Sequence, residues 1–446
     1  MKIVVLNGSP KGRNSITLQT INYLQKKFTE DKFDIINVGQ QIKSLEKDMI
    51  GCIEKINNSD MILFAYPVYT FIAPYQLSRF IELLKENLDD ISDKYATQIT
   101  TSKHFYDITA HRYIEDNCHD LGLKVIKGFS ADMEDLLSEK GRKEALDFWK
   151  FVHFSYENKN SEVYEKSKPK NKEKYAPVFQ GSPKTDEFDT VIVTNCKDDD
   201  ENLRNMIADF RNVYPYNTRV INITEYKFAG GCLGCFNCAI KGKCIYKDGF
   251  DEFLRKKIQK ASAIIYAFTI KDHSMGASFK LYDDRQFCNG HRTVTMGMPV
   301  GYIVSGEYSK ESNLKNIIEG RCEVGNNFLT GVVSDEFDTA RAIKQLSETT
   351  VYALKNKLVL PQNFLGIGGM KIFRDLIYVM RGLMKEDHRF YKKHGFYDFP
   401  QKKIGTILKM QFVGLLMGIP AVKKKAGTKM NDAMIAPYKK AIERKK

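Results

Sequence analysis

Short runs of aliphatic and β-branched residues alternate with stretches of helical periodicity along most of this chain. Residues 2–7 form a continuous apolar run, and residues 15–28 repeat their apolar positions at helical spacing. Residues 33–38, 61–66, 95–101 and 124–129 give four more strand-like runs. Such alternation predicts βαβ units around a parallel sheet, here one doubly wound unit of five strands ending near residue 150. A second set of five follows at 189–195, 219–223, 263–269, 300–305 and 328–333. Asn7 aligns with Asn195 at an offset of 188, whereas Ala65 with Ala267, Leu77 with Phe279 and Glu82 with Asp284 share an offset of 202. The chain therefore reads as a tandem duplication whose second copy gains 14 residues between its first and third strands.

This divides the chain into a first unit over residues 1–150, a linker over 151–187, a second unit over 188–350 and an extension over 351–446. The linker is rich in Lys, Asn, Glu, Ser and Pro around KSKPKNKEK, with too few apolar residues to pack. The extension has no strand pattern, and residues 370–384 and 404–417 read as helices.

At 446 residues, 43% hydrophobic and 28% charged, the composition is that of a soluble globular protein; it excludes a disordered chain, a collagen and a polytopic membrane protein. The longest uncharged run, residues 61–78, is broken by Pro67 and Pro74 and reads as strand and loop rather than a membrane span. No basic-then-apolar leader precedes the first strand, so the expected location is the cytoplasm. The net charge is +14, and residues 361–446 hold 19 Lys and Arg against 6 Asp and Glu, a balance of +13. A basic tail suits an anionic partner or plain solubility; without a recognition motif, nucleic acid is not expected. Residues 404–422 are mostly apolar, with Lys409 inside and Lys423, Lys424 and Lys425 after them. This stretch either packs on the sheet or a second subunit, or touches an anionic membrane surface peripherally.

The first strand runs into Asn7-Gly8-Ser9-Pro10-Lys11-Gly12-Arg13-Asn14-Ser15-Ile16-Thr17, and a helix follows. Small and hydroxylated residues there let backbone N–H groups converge on an anion at the helix N-terminus. Ser9, Ser15 and Thr17 add hydroxyls, and Lys11 and Arg13 raise the local potential; a plain βα turn is the bland alternative. The third strand ends in Tyr66-Pro67-Val68-Tyr69 and the fourth in Thr101-Ser102-Lys103-His104-Phe105-Tyr106. In a doubly wound sheet these loops meet beyond the carboxyl ends of the strands, where ligands bind. A phosphate nest beside aromatic loops suits a phosphorylated, planar, redox-active ring.

At these residues the chain resembles the NAD(P)H-dependent FMN reductases of flavodoxin-like fold, whose relatives include iron–sulfur flavoproteins and flavodoxin-like quinone reductases. Gly8-Ser9-Pro10, Pro67-Val68-Tyr69 and Gln76-Leu77 match the family pattern, and Ser78 and Glu82 depart from it. The resemblance implies two tandem flavodoxin-like sheets plus a helical C-terminal extension. It also implies FMN in the first copy, held by Ser9, Lys11, Arg13, Asn14, Ser15 and Thr17 around its phosphate. Its ring would lie near Pro67, Val68, Tyr69, Thr101, Ser102, His104 and Tyr106. Tyr69 and His104 are the candidates for catalytic contact with ring or substrate, a structural hydrogen bond being the alternative for His104.

The matching loop of the second copy, Thr194-Asn195-Cys196-Lys197-Asp198-Asp199-Asp200-Glu201, has no Gly and sets four carboxylates where a phosphate would lie. Like charges repel there, so no FMN is expected in the second copy. What this copy carries instead is Cys232, Cys235, Cys238 and Cys244, spaced C-x2-C-x2-C-x5-C. Compact thiolate runs of this kind hold iron–sulfur clusters; zinc and free thiols are the alternatives. The same spacing in iron–sulfur flavoproteins ligates a [4Fe–4S] cluster, which favours that group here. Cys52, Cys118, Cys196, Cys288 and Cys322 are isolated and read as small apolar residues. His273 reads as structural, and Gly366-Ile367-Gly368-Gly369 is no dinucleotide fingerprint, because no strand precedes it. NAD(P)H would then stack transiently over the flavin.

The sequence thus points to an NAD(P)H-dependent FMN oxidoreductase reducing a small acceptor, a quinone, a nitro or azo compound or free flavin, with flavin in one copy and cluster in the other. Two alternatives stand beside it: an electron carrier serving a redox protein partner, and a Cys-stapled binding module with a vestigial site. A homo-oligomer is compatible with each.

Overall fold

The computed structural model describes residues 1–88, 90–164, 174–181, 183–422, 435–436, 438–439 and 442. The Lys-rich centre of the linker and Lys423, Lys424 and Lys425 lie outside the described residues.

The first sheet contains β1 (Lys2–Asn7), β2 (Lys32–Ile36), β3 (Met61–Pro67), β4 (Tyr95–Ser102), β5 (Lys124–Val125) and β6 (Phe129–Asp132). Its order is β2-β1-β3-β4-β5, with β6 also beside β4, and every pairing is parallel. Helices α1 (Ile16–Lys27), α2 (Val38–Leu45), α3 (Ile50–Asn57), α4 (Tyr75–Asn87), α5 (Asp107–Asp120) and α6 (Glu139–Glu157) complete this half. The central strands are apolar along their whole length because both faces are buried: every residue of Met61–Tyr66 is at most 1% exposed. One sequence expectation fails. The single fifth strand over 124–129 is two pieces, β5 and β6, separated at Ile126–Gly128 where a Cβ on Gly128 would lie 2.3 Å from the Gln98 side chain.

The second sheet contains β7 (Thr185–Thr194), β8 (Tyr216–Asn222), β9 (Ala263–Thr269), β10 (Pro299–Ser305) and β11 (Phe328–Ser334), ordered β11-β10-β9-β7-β8 and again all parallel. With it come α7 (Glu201–Val213), α8 (Asn237–Lys241), α9 (Phe250–Phe253), α10 (Gly276–Arg285), α11 (Ser312–Gly325) and α12 (Thr339–Asn356). Both copies share one doubly wound topology. The last part of the linker is better packed than its composition suggests. The Asp209 carboxylate of α7 accepts from the Tyr175 hydroxyl and from the Val178 and Phe179 amides at 2.5–3.0 Å.

Three helices follow: α13 (Phe364–Val379), α14 (Lys385–Lys393) and α15 (Ile404–Met417). The chain forms two compact units, Met1–Phe390 and Tyr391–Lys446. Gly366 and Gly369 let α13 lie close on α11 and on Phe105: a Cβ at Gly366 would meet the Glu323 carbonyl at 2.7 Å, and one at Gly369 the Val324 and Phe105 side chains at 2.8 and 2.9 Å. The glycines of the Gly366–Gly369 stretch therefore serve helix packing.

The two halves meet through α4 and α10 about a pseudo-two-fold axis. The Tyr75 amide at the start of α4 donates to Asp284 on α10 (2.7 Å), and the Ala277 amide at the start of α10 donates to Glu82 on α4 (2.9 Å). Tyr75 and Ala277, like Glu82 and Asp284, are 202 residues apart, so the pair of bonds is one interaction made twice. Such reciprocity is the mark of an isologous contact. The tight turns after the third strands obey the same offset, bridging Tyr69 to Ile72 and Lys271 to Ser274.

Candidate functional site

Beyond the carboxyl ends of β1, β3 and β4 lies a cavity of about 230 Å³. Its floor is the loop after β1. The Asn7 side chain folds that loop, donating to the Gly12 carbonyl at 3.0 Å while its own oxygen accepts from the Ser9 amide at 3.2 Å. Ser15 is the N-cap of α1 in extended conformation, yet its hydroxyl makes no capping bond, which leaves the first-turn amides to an outside acceptor. A helix N-terminus of this kind, with Ser9, Lys11, Ser15 and Thr17 on the wall, is a site for an anion such as a phosphate. The Thr17 and Thr101 hydroxyls, 2.5 Å apart, tie the first helix to the end of β4.

Pro67, Val68 and Tyr69 form one side of the cavity and Thr101 and Ser102 another. Burial, reinforced by Cys232 and Asp284, raises the Tyr69 phenol well above its ordinary range, so it is a neutral donor at pH 7. Four predicted residues do not join this wall. Arg13 and Asn14 sit on the short turn Gly12–Asn14 with exposed side chains. His104 and Tyr106 both have left-handed backbone, with φ of 57° and 53°, which turns their side chains away. The His104 ring bonds Asp107 at 2.8 Å, and the Tyr106 ring lies 4.2 Å from that of Phe71 with its hydroxyl donating to the Leu365 carbonyl. Their neighbours Lys103 and Phe105 face the cavity instead.

The roof comes from the second copy. Cys232, Cys235, Cys238 and Cys244 all line the same cavity as Ser9 and Tyr69. The cysteine loop is held down by Lys43, which donates to the Ala229 carbonyl at 2.9 Å, and by Gln76, which donates to the Cys232 carbonyl at 3.4 Å. Gly234 (φ +59°) is obligatory where this loop crosses the first copy, since a Cβ would lie 2.0 Å from the Tyr69 hydroxyl oxygen.

The donor set fits a metal centre of the thiolate kind. Burial pushes the Cys238 thiol up to about 11 and raises Cys232 as well, so both are neutral thiols unless a bound cation deprotonates them. Positive charge and N–H groups surround the sulfurs. The Gly234 amide points at Cys232 Sγ (3.5 Å) and Arg285 at Cys244 Sγ (3.9 Å). Arg285 is itself fixed by two bonds to Asp248, at 2.8 and 2.9 Å. Among the described residues no three sulfurs of the run lie within 4.8 Å of one another. A zinc tetrahedron needs about 3.8 Å between sulfurs, from Zn–S bonds near 2.3 Å. Of the isolated cysteines, Cys52, Cys118, Cys288 and Cys322 are buried as expected, whereas Cys196 is only half-buried.

Part of the wall has no counterpart in the sequence reading. Phe373 and Leu376 of α13 line the cavity, with the Phe373 ring tilted against Phe105 at 4.2 Å and edge-on to His291 at 4.7 Å. His291 also lines it, its Nδ1 bonded at 3.0 Å to the fully buried carboxylate of Asp387, which also pairs with Arg292 at 2.8 Å. The only sequence signal for these groups was the helical apolar spacing of α13.

In the second copy the equivalent strand ends are filled by acids. Asp200 accepts from the Thr269 hydroxyl at 3.0 Å, and Asp335 accepts from Ser305, Gly306 and Asn202 at 2.7–2.8 Å. His273, in the turn matching Phe71, sits between Asp120 and Glu311 at 3.0 and 3.2 Å and joins the two halves.

The first copy thus combines a doubly wound sheet with an anion-receptive loop after its first strand and an aromatic loop after its third. Residues 1–128 match the model of the family described as NADPH-dependent FMN reductase. Solved structures similar to part of the chain include an NADH:FMN oxidoreductase, at 18% identity over 36% of this chain and 91% of the other (TM-score 0.30). They include an FMN-dependent NADH-azoreductase from Bacillus anthracis, at 11% identity over 34% of this chain and 98% of the other (TM-score 0.28). An NAD(P)H:quinone oxidoreductase from Methanothermobacter marburgensis matches at 12% identity over 37% and 98% (TM-score 0.28). No curated protein matches the chain.

Proposed function

We propose that this protein reduces a small acceptor, a quinone, a nitro or azo compound or free flavin, with electrons from NAD(P)H, using FMN in the first copy and a [4Fe–4S] cluster on the cysteines of the second. The observation that carries this reading is the shared cavity: the anion loop and Tyr69 of one copy and all four clustered cysteines of the other face the same space. When bound, FMN supplies hydride acceptance and the cluster supplies one-electron transfer. The chain's own residues do the positioning. Ser9, Ser15, Thr17 and the α1 amides would hold the phosphate, with Lys11 adding positive charge. Pro67, Val68, Tyr69, Thr101 and Ser102 would flank the ring. Cys232, Cys235, Cys238 and Cys244 would ligate the cluster, with Arg285 and the Gly234 amide offsetting thiolate charge. Tyr69 keeps a proton in the cavity, and Phe105, Phe287 and Phe373 exclude water from it.

Anaerobic purification followed by a visible spectrum, with iron and zinc assays on the same sample, tests the reading. Flavin bands with a broad shoulder near 400 nm and about four irons per chain are expected. Flavin bands without iron would reduce the cysteine loop to a structural lid, and colourless protein would overturn the proposal. Bleaching by NAD(P)H separates an enzyme from a carrier that only a redox protein partner reduces.

A further inference from the structure

The second compact unit, Tyr391–Lys446, carries 14 Lys and Arg against 3 Asp and Glu. Within it α15 reads IGTILKMQFVGLLM, with Lys409 as its one charge. A helix of this composition is apolar on every side, and such helices in proteins are enclosed by other chain or by lipid. Within this unit nothing among the described residues encloses it. Residues 401–416 are all exposed, with Ile404 at 63%, Leu408 at 59%, Phe412 at 62% and Leu415 at 76%. Exposed apolar surface of this extent marks an interaction site.

We propose that α15 docks this protein on an anionic membrane surface, lying in the boundary between headgroups and acyl chains. Charge selects this occupant. From residue 399 to residue 431 the sequence holds seven Lys and no Asp or Glu, and these Lys bracket the helix: Lys402 and Lys403 before it, Lys423, Lys424, Lys425 and Lys429 after it. A second copy of the unit would bring one balance of +11 against another, whereas anionic headgroups neutralise it. The fourteen residues of α15 rise about 21 Å, short of a hydrocarbon core of roughly 30 Å. No described helix is long and apolar enough to cross a membrane. The helix therefore inserts without spanning, and Lys409 reaches its ammonium back to the headgroups.

The test is co-sedimentation of the full chain with vesicles of phosphatidylcholine alone and of phosphatidylcholine with about 30% phosphatidylglycerol. Binding to the anionic vesicles at least about tenfold tighter than to the neutral ones, and weakened by salt, is expected. Leu408→Glu with Leu415→Glu, both on exposed positions, should abolish that binding while flavin content and far-UV circular dichroism stay unchanged. Equal binding to both vesicle types, or none to either, overturns the proposal. So does a wild-type oligomer that the double variant dissolves without any vesicle binding, which would assign the helix to a second copy. None of these readouts depends on whether the cysteines hold a cluster.

Discussion

The carboxyl ends of the two sheets began as the same place in a repeated fold and now do opposite things. In the first copy, the loop after β1 presents Ser9, Ser15, Thr17 and free first-turn amides to a cavity. In the second, carboxylates occupy the corresponding space and consume the local donors: Asp335 alone takes the Ser305, Gly306 and Asn202 hydrogens. The backbone topology is the same in both. What differs is which sign of charge the loop tolerates, and that is decided by a few side chains without disturbing the sheet. The second copy contributes through its extra segment instead, whose cysteines roof the first copy's cavity.

Several changes would break or sharpen this contrast. The largest effect is expected from Thr17→Asp, which brings an acid into the first copy's loop. FMN affinity, read by fluorescence titration, should fall by about 100-fold or more, since a carboxylate facing a phosphate costs several kcal/mol at short range. Gly234→Val drives a side chain into Tyr69 and forces a β-branched residue into a left-handed backbone conformation, so flavin content on purification should fall about tenfold or more with the fold retained. On the proposed cluster reading, Cys235→Ser should lower the iron content while leaving FMN in place; loss of both in equal measure would mean that the loop serves to fold the cavity rather than to hold a separate group.

Smaller effects sit at the seam. Asp284, fully buried, accepts from Lys280, Thr70 and Tyr75, whereas its repeat partner Glu82 is 7% exposed. Asp284→Asn should cost about 3 kcal/mol in denaturant unfolding and Glu82→Gln about 1, a difference that measures how far the once-equal bonds have diverged. The smallest is a pH effect. Burial alone would lower the His273 pKa, but hydrogen bonds to Asp120 and Glu311 outweigh it and push it up to about 10 from 6.5. A group raised on folding stabilises fully below its unfolded value and loses that contribution as pH rises through the folded one. Stability should therefore decline between about pH 6.5 and 10 by on the order of 1–2 kcal/mol, and His273→Gln should flatten that slope.

The fold was largely legible because it rests on periodicity. Buried parallel strands such as Met61–Pro67 and Ala263–Thr269 show as apolar runs, and α15 begins where its apolar stretch does. The loop after β1 and the cysteine run were legible as local spacing, and both line the cavity. Three things were not. The break between β5 and β6 depends on what Gly128 packs against, which no local pattern contains. His104 and Tyr106 lie in the expected loop, but left-handed backbone at both positions reverses where their side chains go. Finally, Phe373, Leu376 and His291 reach the cavity, and Asp387 supports it, only through tertiary packing of segments distant in sequence from the first copy's loops.

The pseudo-two-fold seam has a consequence for how this site can be lost. When two separate chains share a site, dilution empties it, and every substitution strikes both sides at once. Here the paired bonds of Tyr75 with Asp284 and of Ala277 with Glu82 join parts of one polypeptide. The roof stays at a fixed effective concentration over the cavity however scarce the protein becomes. Each half can also change alone, which is the freedom by which one strand end could turn acidic while its twin kept a hydroxyl-lined loop.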